Sequence, residues 1–387
     1  MIRTKDLKKQ KPAAKPKPVS LETKAVVEQL KTQLRVKDKE LLKLQTERLT
    51  AEKLIESIKN DLKALPSVEV QPYPITSLNP DHEEDQILLF SDLHAGEVIR
   101  PEEIDGFNSY NFETMCCRLA TLRDSVISIK DLHSHAFKIK RLYVFSLGDL
   151  VTGEIHNMAE TNEFPVMATI QQTALVIAQF LLSLASRYEE VHYVGVAGNH
   201  DRRHDKPRTK NGDDNWSNML NWCISLLCAN QKNIFFKVPS SPFLIVNVMG
   251  WNWLVRHGHG KCISFAGVPF YGLSRKNSAL QELYKKRGGF DYEALGHYHQ
   301  QAQLKDDQVF INGSVIGANE FAVNDLAAFS PPSQKLIGIS EKRGVTYTYK
   351  ITLEGDKHDF VYDPDKVFEH QAMMADFIST HFDSKGR

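Results

Sequence analysis

Cysteine is scarce and unpatterned in this sequence. Cys116, Cys117, Cys223, Cys228 and Cys262 are odd in number, scattered, and never spaced CxxC. That argues against a disulfide framework and against a cysteine-based zinc site, and it fits a reducing, cytoplasmic setting. No run approaches the roughly 18–20 consecutive apolar residues of a membrane helix. The basic N-terminus is not followed by the apolar stretch of a secretory signal, so no membrane partner is expected. The glycine motifs GxxxxGK[ST] and GxGxxG are missing, which argues against ATP-driven chemistry, and no Ser or Cys nucleophile motif occurs. Net charge is lacking too, with 48 Lys and Arg against 48 Asp and Glu. That balance conceals an asymmetry. Residues 1–65 hold 17 basic against 9 acidic side chains, and the rest of the chain 31 against 39. What remains is ordinary: 387 residues, 42% hydrophobic and 25% charged, consistent with two or three domains or one large α/β unit with an appendage.

The appendage reads from the front. Residues 1–19 carry Arg3, Lys5, Lys8, Lys9, Lys11, Lys15 and Lys17 among three prolines. With so little to bury, this segment is expected to be disordered, as an arm for a polyanion or as a solubilising tail. Residues 20–65 read as one helix. Ser20 is a plausible N-cap, Pro66 closes the segment, and no Gly or Pro intervenes. Val27, Leu30, Leu34, Leu41, Leu44, Ala51, Ile55, Ile58, Leu62 and Leu65 follow alternating 3–4 spacing, broken by Lys37 and Arg48. This is a coiled-coil pattern. Such a helix spans about 68 Å and cannot bury its own stripe. A homodimer is therefore expected, the alternative being a helix folded back on the body. Residues 66–85, with four prolines and an acidic end, read as a linker.

The body, residues 86–353, alternates strand-like and helical patterns, an α/β arrangement. Helical stretches are expected near 112–132, 165–188 and 215–229. Five apolar runs end in polar donors. Ile87–Phe90 leads into Asp92 and His94, and Leu142–Phe145 leads into Gly148 and Asp149. Val191–Val196 leads into Asn199, His200 and Asp201. Trp253–Val255 leads into His257 and His259, and Tyr292–Leu295 into His297 and His299. In parallel α/β sheets, ligands sit off the carboxyl ends of strands. Imidazoles and oxygens without thiolate, too many for one tetrahedral ion, point to a two-metal site of the kind that clamps displacement at phosphorus.

In this order the motifs D-x-H, G-D, G-N-H-D, H-G-H and G-H-x-H resemble the calcineurin-like metallophosphoesterase superfamily over about residues 86–318. The resemblance implies a four-layer αββα sandwich. It also implies two divalent metal ions, manganese first, with iron or zinc as alternatives. By carry-over, Asp92, His94 and His299 would hold one metal and Asn199, His257 and His297 the other, with Asp149 bridging. The first histidine of H-G-H is the family's usual ligand, hence His257 rather than His259. His200 would act on the phosphoryl group rather than bind metal. The segment after Asp149 lacks the second aspartate and the arginine of protein Ser/Thr phosphatases, which lowers that reading. A water acidified by the ions is the expected nucleophile.

For the substrate, the loop from Asp201 to Lys210 holds five basic residues. Arg202, Arg203 and His259 are candidate substrate contacts, with a solvated loop as the alternative. Trp216 either stacks on a base or joins the core. Glu154, His156 and Asn157 are candidates for the cleft wall, and Asn312, Gly313 and Ser314 for a turn behind it. The basic loop and arm favour nucleic acid, DNA in particular, so that a nuclease or phosphodiesterase is expected. The acidic body favours a small phosphate ester instead. Residues 335–353 read as a hairpin, and 354–387 as a C-terminal tail without a motif.

Overall fold

The computed structural model describes residues 21–64, 82–155, 162–203, 214–260, 268–320, 323 and 330–363. The expected basic arm, most of the linker, His156, Asn157, the loop from His204 to Lys210, Cys262 and the chain beyond 363 lie outside these residues.

Leu21–Ala64 form one uninterrupted helix, α1. Its charged residues pair along the surface, as Lys31–Glu28, Lys37–Glu40 and Arg48–Glu52. Its apolar residues Val27, Leu30, Leu34, Leu41 and Leu44 are exposed. The helix is therefore present with the described part of its stripe bare, while coiled-coil pairing is not part of this single chain.

The second unit runs in order β1 (Glu83–Phe90), α2 (Phe112–Ser134), β2 (Lys138–Ser146), α3 (Val166–Ala185), β3 (Glu190–Gly195), α4 (Trp216–Leu227), β4 (Ile234–Lys237), β5 (Phe243–Val248), β6 (Trp251–Arg256), α5 (Phe270–Tyr284), β7 (Tyr292–Leu295), β8 (Ala302–Leu304), β9 (Val309–Ile311), β10 (Ser333–Ser340) and β11 (Gly344–Thr352). β1 starts at Glu83, inside the segment read as linker, because Glu83 and Glu84 pair with Lys138 and Ile139 of β2. One sheet has the order β11-β10-β1-β2-β3-β4, the other β5-β6-β7-β9-β8. β1 to β4 are mutually parallel, as are β6, β7 and β9. The hairpin β10–β11 extends the first sheet antiparallel to β1.

Alternation along the strands explains the layers. Ile87, Leu89, Phe145, Val194, Ile337 and Ile339 of the first sheet meet Val246, Val248, Trp253, Val255, Ala294 and Phe310 of the second in one core. On the opposite face, Leu88, Phe90, Leu142 and Val144 pack against Leu119, Leu122, Ile177, Phe180 and Leu181 of α2 and α3. Leu273 and Leu280 of α5 cover the outer face of the second sheet. Helices, sheet, sheet and helix thus form the expected αββα stack.

α3 corrects one expectation from the sequence. Its 20 residues are long and apolar enough by composition to cross a membrane, although Gln171, Gln172 and Gln179 break any continuous apolar run. The helix instead buries Ile170, Ala174, Ile177, Phe180, Leu181 and Leu184 in the core of the stack. The stretch after residue 353 is likewise more than a tail. Residues 354–363 run along α2 and α3, where Gln172 and Gln179 hydrogen-bond the backbone of Asp363 and Val361 and Phe360 is buried.

Candidate metal centre

The strand ends are sewn together by their own backbones. Leu147 N donates to Phe90 O, Asp92 N to Gly148 O, His94 N to Asp149 O, Val196 N to Ser146 O and Gly296 N to His257 O. Within this mesh Asp92, His94, Asp149, His297 and His299 all take positive φ, from 50° to 75°. A non-glycine residue held there costs on the order of 1–3 kcal/mol and persists only where its surroundings over-determine it. Close approach of two turns accounts for a paired glycine. A Cβ on Gly148 would stand 2.4 Å from Gly198 N, and one on Gly198 would stand 2.1 Å from Asp149 Oδ1. No side chain larger than hydrogen fits at that crossing.

Two trios of donors result. Asp92, His94 and His299 present ligand atoms within 4.8 Å of one another, and so do Asp149, His257 and His297. Asp149 of the second trio also faces the first, its Oδ2 3.0 Å from His257 Nε2 and 4.0 Å from His94 Nε2. Asn199 Oδ1 is 3.0 Å from the same His257 nitrogen. The structure therefore gathers all seven residues read as ligands from the sequence. His200 is gathered as well: its ring lies 4.6 Å from that of His94, and it forms a third trio with His94 and Asp149.

The chemistry of these atoms fits divalent cations. His257 Nδ1 is 2.7 Å from Leu147 O, so it carries the proton and donates, leaving the Nε2 lone pair facing two oxygens. Three acceptors converge there with no donor, and only a proton or a metal ion relieves them. Burial opposes a charge on His257, but Asp149 outweighs it and lifts the ring to about 9. His94 is buried with neither ring nitrogen hydrogen-bonded. Burial, then the neighbouring His200 and His299, hold it well below the ordinary histidine range, so it is neutral and able to ligate. Asp149 is buried, which disfavours its charge, yet His257, His200 and His94 keep its carboxyl ionised well below the usual range.

Supporting residues went unassigned in the sequence. Asp201 Oδ2 accepts from Gly198 N at 2.6 Å and from Asp149 N at 3.1 Å, tying the two turns together. Burial and the adjacent Asp149 push it up to about 7. It was visible as the last letter of G-N-H-D. Glu97 is buried with Oε2 3.5 Å from His94 Nδ1, and it accepts from Asn319 Nδ2 at 3.2 Å. Its only signal was the three-residue spacing from His94. Asn312 donates to Ser91 Oγ and to Gln334 Oε1, bracing β1, β9 and β10 beneath Asp92.

The substrate candidates divide. Arg202 donates from Nε to Asn199 O at 2.8 Å, close to the ligands. Arg203 pairs with Asp214 at 2.6 Å and lies over the Trp216 ring, and Trp216 itself packs on the core. His259 stays outside both trios. Burial, then the His257 charge, drops it to about 4, and its Nδ1 is buried without a hydrogen-bond partner. Glu154 is exposed. His200 Nδ1 is 3.1 Å from Thr152 O, which orients the ring.

No curated protein matches the chain. Among solved structures it is similar to wild-type Vps29 complexed with Zn²⁺ from Entamoeba histolytica, at 13% identity over 70% of this chain and 99% of that one, with a TM-score of 0.29. A putative 5'-nucleotidase from Staphylococcus aureus matches at 10% identity over 75% of this chain and 58% of that one, with a TM-score of 0.35. A predicted phosphoesterase from Streptococcus pneumoniae TIGR4 matches at 9% identity over 69% and 98%, with a TM-score of 0.27. The family model of the calcineurin-like phosphoesterases matches residues 86–301, more than half of the chain and every residue of both trios. This chain belongs to the calcineurin-like phosphoesterase family, metal-dependent hydrolases of phosphate esters.

Proposed function

We propose that the chain hydrolyses phosphodiester bonds of nucleic acid, DNA foremost, at a dinuclear centre held by Asp92, His94 and His299 on one side and Asn199, His257 and His297 on the other. The observation that carries the dinuclear reading is the buried carboxylate of Asp149, which faces histidines of both trios of donors. The all-nitrogen-and-oxygen set suits manganese, iron or zinc. Bound there, such ions neutralise charge on the phosphoryl oxygens and acidify water.

The chain's own groups do the rest. The Asp92 carboxylate is fixed by two contacts of 3.1 Å from His297 N. Leu147 O keeps the proton of His257 on Nδ1, so Nε2 stays a donor of electrons. His200, held at Nδ1 by Thr152 O, delivers a proton from Nε2 to the leaving oxygen. Arg202 grips a phosphate flanking the scissile one.

A second reading, a small phosphorylated molecule, is favoured by one observation: Arg203 is spent on Asp214 and Trp216. A panel of linear and circular DNA, single-stranded DNA, RNA, a bis-aryl phosphodiester and an aryl monophosphate, all with added Mn²⁺, separates the two. Cleavage of DNA and the diester is expected. Hydrolysis of the monophosphate alone would overturn the nuclease reading.

A further inference from the structure

A cluster of metal-type donors also lies away from the strand ends, where the C-terminal segment meets the first turns of α2. Glu113 and Cys117 are four residues apart, on one helical face. His358 reaches them from the segment after β11. A Glu113 oxygen, the Cys117 sulfur and a His358 ring nitrogen all lie within 4.8 Å of one another. His358 Nε2 is 2.7 Å from Glu113 Oε1, while Nδ1 is buried without a hydrogen-bond partner. The Tyr362 hydroxyl donates to the other Glu113 oxygen. Cys117 is only 7% exposed. Burial, then Glu113 and Asp356, push its thiol upward, so without a cation it keeps its proton.

We propose that Glu113, Cys117 and His358 form an auxiliary site for a thiophilic divalent cation of the zinc class, which clamps the C-terminal segment to α2. One thiol, one imidazole and one carboxylate are a borderline-soft donor set, unlike the thiolate-free trios at the strand ends. Donors at bond lengths of about 2.0–2.3 Å around a tetrahedral ion stand roughly 3.3–3.8 Å apart. From within 4.8 Å of one another the three donors would draw together on an ion, with water as fourth ligand. Binding breaks the Cys117 S–H bond and releases that proton to solvent. The thiolate and the Glu113 carboxylate then balance the two positive charges, with His358 neutral. The clamp bears on the catalytic side through α2: Arg118 on that helix holds the carbonyls of Val315 and Ile316, and the amide of Val315 bonds Asp92 O.

Cobalt(II) distinguishes this site from the strand-end centre, because only thiolate ligation yields the sulfur-to-cobalt charge-transfer band in the near ultraviolet. The full chain, stripped of metal and titrated with Co²⁺, is expected to develop that band. Cys117→Ala should abolish it, His358→Gln should weaken or abolish it, and Cys223→Ser should leave it intact. No band in the unaltered chain, or a band that survives Cys117→Ala, would overturn the proposal. Should Cys117→Ala fail to fold, an unchanged band in His358→Gln, a substitution on the surface segment, overturns it equally.

Discussion

α1 and the strand-end cup are built on opposite terms. In α1 the polar groups are content: the backbone is helical from end to end, and Glu, Lys and Arg pair along the surface. The apolar groups are not, since Leu34 and Leu44 are 65% and 63% exposed. In the cup, Leu147, Leu150 and Val151 are buried, and the discontent is polar: two bare nitrogens on His94 and two oxygens facing the lone pair of His257 Nε2. Each kind of unfinished business names its remedy. Bare leucines call for an apolar partner, and converging lone pairs call for cations.

The sharpest way to break the comparison is to remove the atom that serves both trios. Asp149→Ala is expected to lower phosphoester hydrolysis to the level of chelator-treated protein and to lose bound metal by elemental analysis. Retention of two ions per chain would sink the bridging role. Next comes His200→Ala. Turnover should fall by roughly 10²–10⁴-fold, the usual worth of a placed general acid, with metal content unchanged. Loss of metal would instead make His200 a ligand, as its closeness to His94 and Asp149 permits. A smaller effect is expected at Glu97. Outer carboxylates beside ligating histidines typically contribute about 10–100-fold in metal affinity, so Glu97→Ala should weaken Mn²⁺ binding by that order in a calorimetric titration. An unaltered affinity would show that the 3.5 Å gap to His94 Nδ1 stays unbridged.

The smallest effect on chemistry is expected at the other end of the comparison. Removing residues 1–66 should leave hydrolysis of a bis-aryl phosphodiester nearly unchanged while converting a dimer to a monomer in light scattering. On long DNA the same truncation should flatten the salt dependence of binding, since log K falls by roughly 0.9 per phosphate neutralised. An oligomer that survives the truncation would take dimerisation away from α1. An unaltered salt slope would shift the substrate reading to small phosphate esters.

Much of the cup was legible before the fold, because each donor sits two to four residues past an apolar run and α/β strands deliver their ends to one edge. Glu97 and Arg203 were not legible in the same way. Glu97 matters only because the turn after β1 brings it under His94, and Arg203 looked free to bind phosphate until Asp214, eleven residues on, was found to hold it. The same holds for α3, whose apolar run takes its meaning from the sheet it covers, and for His358, which meets Glu113 from 245 residues away.

Sequence alone therefore determined what is local and periodic: the long helix, the strands that carry the donors, and the residue types waiting at their ends. Only the tertiary structure decided which of those side chains share an ion-sized space, which charges are already spent on a neighbour, and where the left-handed turns at Asp92 and Asp149 are tolerated. Those outcomes depend on contacts between segments distant in the chain, and a buried charge or a strained φ is settled by everything packed around it.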